Sequence, residues 1–216
     1  MNAPENQTLR AQFDAAEANR DPMHLIVPDF NGIDLYVGNR QAASNPALLA
    51  QHGIKAVLNC ALNLDLNLVD APAPDSLNQT FGRAQLRYYK LGLIDGPGNP
   101  AEMLLAGYLQ LSGLMRQQMP TKITYPWPSG GNVLVNCRGG RSRSVILVSL
   151  FLHLERKDSF PTLAHAIDHV RQMRQLDPVE WPSAPKPILV EAALWAARAA
   201  QHLRALEETL PMADRT

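Results

Sequence analysis

Residues 133–154, VLVNCRGGRSRSVILVSLFLHL, set one apolar run against another with a cysteine, two glycines and three arginines between them. Both runs have to be buried, and the first has strand character while the second is long enough for a helix. The turn between them therefore gathers cations and glycines at the junction of a strand ending at Asn136 and a helix beginning near Ser142. The longest apolar stretch, Val145 to Leu154, is about half of a membrane span, so it reads as a buried helix.

The charge in that turn is local. The 216 residues carry 20 Lys and Arg against 20 Asp and Glu. Such a balance gives no general attraction to nucleic acid or to an anionic membrane. The length suits one domain with a full core. Cys60 and Cys137 are the two cysteines, and the polar start, MNAPENQTLRAQFDAAEANR, has no secretory pattern. Both features favour a reducing cytoplasm.

Residues 1–28, with Pro4, Pro22 and Pro28, read as a flexible N-terminal segment, and residues 29–216 as one domain. Strands are expected at Ile33 to Gly38, Ile54 to Asn59 and Leu86 to Asp95, with a two-turn helix from Pro46 to Gly53. Helical spacing recurs over Ala101 to Gln118, around Thr162 to Gln175, and over about 187–208. This alternation predicts an α/β fold, a central sheet flanked by helices. The leucines at 62, 64, 66 and 68 fit an edge strand and a surface loop equally well.

A strand, a glycine-bearing loop and a helix start let successive backbone N–H groups converge on one point, where a helix N-terminus also prefers an anion. The same amides and arginines favour the thiolate of Cys137. Arg143, five intervening residues on, can hold two anionic oxygens through its planar fork. The result is a nucleophile at the bottom of a cradle for a tetrahedral oxyanion. A buried thiol followed by an ordinary basic turn has no need of an anion nest of that length.

Cys137, Arg138, Gly139, Gly140, Arg141, Ser142, Arg143 and Ser144 resemble the signature loop of the cysteine-dependent phosphatases, Cys, five residues, Arg, then Ser or Thr. NGIDLYVGN (31–39), HGIKAVLN (52–59), YYKLGLID (88–95) and HVRQMR (169–174) resemble successive elements of the dual-specificity phosphatases, within the protein tyrosine phosphatase superfamily, over about residues 31–175. The resemblance implies a phosphatase-like three-layer architecture. It also implies a hydrolase that cleaves phosphomonoesters without metal or other cofactor, through a phosphocysteine intermediate. Cys137 is then the nucleophile, Arg143 the ligand of the equatorial oxygens, and Ser144 the hydroxyl that stabilises the departing thiolate. Arg138, Gly139, Gly140, Arg141 and Ser142 complete the substrate cradle.

Asn136 stands where the family usually has His, and is expected to order the loop through its amide hydrogen bonds. Asp95, followed by Gly96, Pro97 and Gly98, matches the family's general acid on a movable loop; Asp65, Asp70 and Asp75 are weaker candidates, and Asp34 reads as structural. Cys60 reads as a core residue, with a protective disulfide to the nucleophile, as in some relatives, left open. The six histidines are scattered and offer no metal cluster. Trp127 and Trp181 are either rim residues or local packing.

Arg138 and Arg141 point to a substrate with anionic groups beyond the reacting phosphate. The expected partner is a phosphotyrosine or phosphothreonine protein, or an anionic phospholipid or metabolite, since CRGGRSRS is similar to loops of relatives acting on phosphoinositides and phosphatidylglycerophosphate. The other classes are a catalytically silent phosphate-binding module and a sulfur-transfer enzyme. The spacing to Arg143 and the separate Asp95 favour phosphate chemistry over sulfur transfer.

Overall fold

The computed structural model describes residues 20–69, 84–122, 125 and 130–209. Residues 1–19, Asp70, Asp75 and Trp127 lie outside them. Among the described residues, β1 (Met23–Phe30), β2 (Ile33–Gly38), β3 (Ile54–Ala61), β4 (Arg87–Leu93) and β5 (Asn132–Asn136) make one sheet in the order β1-β2-β5-β3-β4. β1 runs antiparallel to β2, and the other pairings are parallel. The helices are α1 (Arg40–Ala43), α2 (Pro46–Gln51), α3 (Glu102–Leu114), α4 (Arg143–Glu155), α5 (Leu163–Met173) and α6 (Pro187–Thr209).

The first apolar run becomes β5, the middle strand. A strand covered on both faces needs apolar side chains on both. Val133 and Val135 face the larger core with α4, and Leu134 the smaller one with Tyr36, Leu49 and Val57. The second run becomes α4, buried at every position from Arg143 to Leu152 and again at Leu154. Being apolar all round, it is enclosed by the sheet, α3, α5 and α6. The small helices α1 and α2 cover the opposite face through Ala42, Ala43 and Leu49. Helices on both faces of the mixed sheet give the α/β class that the alternation predicts.

One reading changes and one left open is decided. The last residues of the loose 1–28 segment are ordered: Met23–Phe30 form an edge strand. Pro28 hid it, because proline cannot donate to a ladder; an edge position tolerates it, and the pairing slips between Leu25 and Val27 and again before Phe30. The leucine-alternating stretch is a loop over residues 62–68, ending in the isolated bridge between Val69 and Ala84.

Register decides where the loops meet. Gly38 of β2 and Asn59 of β3 both pair with Asn136 of β5, so three carboxyl ends align. β5 is inserted between β2 and β3, which are consecutive in the chain. Connections diverge there, and such a point leaves a crevice beyond the strand ends.

Candidate active site

Residues 137–142 fill that crevice. Gly140 has φ +64°, and a Cβ there would stand 2.7 Å from the Gly38 carbonyl oxygen, so both conformation and space demand glycine. Arg138 O accepts from Arg40 N at 3.1 Å, which fastens the loop to the start of α1. α1 is itself capped by Asn39, whose Oδ1 accepts from the amides of Gln41 and Ala42.

Cys137 lies at the base, 2% exposed, with Sγ 3.3 Å from Ser144 Oγ. Burial alone pushes its thiol up. The Arg143 charge, the Ser144 hydroxyl and the backbone N–H groups of Ser144 and Arg141 outweigh burial, and the thiol lies below its ordinary value. Cys60 behaves oppositely: burial, reinforced by the nearby Cys137 charge, pushes its thiol well up against the pull of Arg143. Both cysteines are free thiols.

Arg143 is 3% exposed at the first turn of α4. Its Nη1 donates to Asn63 Oδ1 at 2.9 Å and to Leu93 O at 3.1 Å, and its Nε is buried with no protein partner. Two neutral acceptors thus hold one edge of the guanidinium without cancelling its charge. An anion above Cys137 would complete its hydrogen bonding.

A pocket of about 460 Å³ opens over the cysteine. Arg40, Arg138, Arg141, Arg143 and Lys186 supply its cations, Asp95 and Glu180 its acids, and Trp181, Pro182 and Ala184 an apolar wall. The Arg141 guanidinium stacks over Trp181, 3.7 Å from the ring centroid. Glu180 is paired with Arg20. The Ser142 hydroxyl accepts from Lys186 N at 3.2 Å, so it also braces the C-terminal segment. Asp95 is exposed at the rim in a loop whose shape Asn99 fixes, its side chain bonding the Ile94 N–H and the Ile94 and Gly96 carbonyls.

Every signature-loop residue read from the sequence except Gly140, whose place is under the loop, is thus at the pocket or, for Ser144, on its thiol. Asn136 does not act as expected. Its side chain is fully buried, and neither Oδ1 nor Nδ2 has a protein partner. Position 136 follows the strand alternation to the face opposite Cys137, next to Asn59, whose amide is engaged with Leu64 O, Tyr88 Oη and Ala61 N. The hydrogen bonds that reach the Cys137 thiol come from Ser144 and backbone amides, and the loop itself is tied by Arg40 N to Arg138 O and by Lys186 N to Ser142 Oγ. Asp65 is bonded to Lys90 at the surface, and Asp34 Oδ1 receives the Asp29 amide.

Comparison with protein-family models finds no match, and no curated protein matches the sequence. Solved structures do. Human DUSP28 is 20% identical, with a TM-score of 0.55 over 84% of this chain and 96% of its own. The chain has the dual-specificity phosphatase fold. The human tyrosine phosphatase-like serine/threonine/tyrosine-interacting protein (20% identity, TM-score 0.54, 84% and 97%) and the Yvh1 phosphatase domain from Chaetomium thermophilum (17%, 0.56, 82% and 97%) share it. On this fold, sequence reasoning missed Asn63, Lys186 and the neighbours of Trp181 in the wall formed by residues 180–184, while Trp181 itself was read as either a rim residue or local packing. Asn63 and Lys186 carried no local motif, whereas Trp181 was visible as an aromatic residue between turn-forming residues. Among the described residues no cluster could hold a metal ion, and no helix is long and apolar enough to cross a membrane.

Proposed function

We propose that the protein is a cysteine-dependent phosphatase that hydrolyses phosphomonoesters through a phosphocysteine. The observation that carries the reading is the buried Cys137 whose thiol is lowered by Arg143, Ser144 and loop amides beneath an open cationic pocket. The thiolate attacks phosphorus while the P–O bond to the leaving group breaks, and the Asp95 carboxyl gives its proton to the departing oxygen. Arg143 and the amides of residues 138–143 bind the three equatorial oxygens as charge develops. Water then attacks phosphorus and loses a proton to Asp95. The P–S bond breaks toward Cys137, and the Ser144 hydroxyl, 3.3 Å away, donates to the returning thiolate.

The substrate reading follows from the charges. Arg40, Arg138 and Arg141 surround the reacting position in addition to Arg143, which favours a substrate bearing further anionic groups. A phosphoprotein with acidic or phosphorylated neighbours fits, and so does the headgroup of a phosphoinositide or phosphatidylglycerophosphate. A nucleophilic thiolate must stay reduced, which suits the cytoplasm.

Initial rates in chelator and reductant test the reading across phosphotyrosine and phosphothreonine peptides, phosphoinositides, phosphatidylglycerophosphate and sugar phosphates. Metal-independent turnover of at least one class is expected, with Cys137→Ser losing turnover while still binding vanadate. Turnover surviving in Cys137→Ser overturns the covalent route. Vanadate binding by a parent protein that turns over no ester makes it a silent phosphate-binding module.

A further inference from the structure

Lys186 lies beyond the stretch that resembles the phosphatases, yet it touches two parts of the pocket at once. Its backbone is held firmly. Its N–H donates to Ser142 Oγ at 3.2 Å, and its carbonyl accepts from Leu189 N at 2.9 Å and Val190 N at 3.2 Å, so it closes the first turn of α6 just before Pro187. α6 in turn is anchored in the core by Leu189, Ala193, Ala196, Ala197 and Ala200. From that base the side chain crosses the pocket, and Nζ donates to the backbone carbonyl of Asp95 at 2.5 Å.

Arg143 ties the base of the Asp95 loop at the Leu93 carbonyl, and Lys186 adds a tie two residues further out, at Asp95 itself. The bonds from Asn99 to Ile94 and Gly96 are internal: they give the loop a shape without fixing it against the signature loop. Asp95 is exposed, and the loop leaves the sheet at Leu93, the last residue of β4. A carbonyl held at residue 95 fixes the peptide plane from which the Asp95 side chain projects. Ser142 at one end of Lys186 belongs to the loop that carries Cys137, so a single residue spans from the nucleophile's loop to the acid's.

We propose that Lys186 is a positioning residue that holds the Asp95 loop in register with the Cys137 loop; this rests on Asp95 serving as the proton donor in the reaction proposed above. A positioned acid supplies roughly 10²–10⁴ of rate, and the benefit falls on esters whose leaving oxygen needs a proton. Lys186→Met removes the link, and Lys186→Arg retains a donor of similar reach.

The test pairs kinetics with an activity-independent readout. kcat/KM is measured for an alkyl phosphate and for an activated aryl phosphate in the parent, Lys186→Met, Lys186→Arg, Asp95→Asn and the Lys186→Met/Asp95→Asn double variant. Lys186→Met is expected to lose on the order of tenfold with the alkyl ester and less than about threefold with the aryl ester, a fraction of what the acid provides. Lys186→Arg should recover most of it, and the double variant should be no slower than Asp95→Asn. Equal losses on both esters that persist in the Asp95→Asn background make Lys186 a ligand of substrate charge and overturn the proposal. Amide hydrogen exchange of residues 94–99 should quicken in Lys186→Met while that of residues 137–144 holds. Unchanged exchange at 94–99 overturns the proposal too, and this readout decides it even if the parent turns over no phosphate ester, an outcome that removes the phosphatase reading alone.

Discussion

Asn63→Asp changes one atom type at the most sensitive point of the site. Asn63 Oδ1 accepts from Arg143 Nη1 at 2.9 Å, beside the neutral Leu93 carbonyl. Aspartate keeps the shape and the hydrogen bond and adds a full negative charge. For a carboxylate on the far side of the guanidinium from the sulfur, a separation of roughly 6–8 Å at an effective dielectric constant of about 20 corresponds to an opposition to the thiolate of about 2–3 kcal/mol. That is on the order of a 30- to 100-fold smaller thiolate fraction at a fixed pH below the thiol's titration. The sign follows from the parent's lowered thiol, in which Arg143 is the first influence opposing burial. A depressed acid contributes folding stability above its unfolded pKa and loses it as pH falls through the folded pKa. Asn63→Asp narrows that window by raising its lower edge, so less of the stability gained on ionisation of Cys137 remains. The assay is the pH dependence of alkylation by iodoacetamide, a neutral reagent insensitive to the added charge. Its midpoint should move to higher pH, while Asn63→Ala, which removes the bond but adds no charge, moves it less. An alkylation profile in Asn63→Asp that overlays the parent's, with an unchanged melt, would show that Arg143 does not set the ionisation of Cys137.

Two further outcomes follow from burial and backbone geometry. At neutral pH iodoacetamide should label Cys137 and leave Cys60 untouched, because burial holds the Cys60 thiol well above its ordinary value; mass spectrometry of native and unfolded protein should count one and then two adducts, and early labelling of Cys60 would contradict this. Gly140→Ala adds left-handed strain at φ +64° and a methyl group 2.7 Å from Gly38 O, costing about 1–3 kcal/mol and lowering Tm by roughly 2–12 °C, together with weaker vanadate binding. A parent-like melt and parent-like vanadate affinity would refute it.

What the sequence disclosed was whatever a single segment dictates. The 133–154 stretch fixed its own outcome because a buried parallel strand and an all-round apolar helix have few alternatives, and the glycines between them leave one way to turn. Gly140 shows why: the residue has to pass against the end of β2, and no Cβ fits there. The 23–30 strand was obscured by Pro28, a local veto that only an edge position cancels, and edge status depends on the rest of the sheet. Trp181 was visible as an aromatic among turn residues. Its stacking on Arg141 depends on a chain reversal 40 residues away.

Asn136 marks the limit of reading roles by position. Its place in the sequence, immediately before Cys137, suggests direct influence on the loop, but strand alternation turns its side chain to the other face of the sheet. There it is sealed against the smaller core beside Asn59, with neither amide atom bonded to protein. Residues that do touch the cradle come from elsewhere: Asn63 from the loop after β3, and Lys186 from the start of α6. The strand ends gather these loops because Gly38, Asn59 and Asn136 are in register, and nothing local to residues 63 or 186 encodes that alignment. The chemistry proposed for Cys137 is therefore written in one contiguous loop, whereas the groups that orient Arg143 and bridge to the Asp95 loop are set by topology.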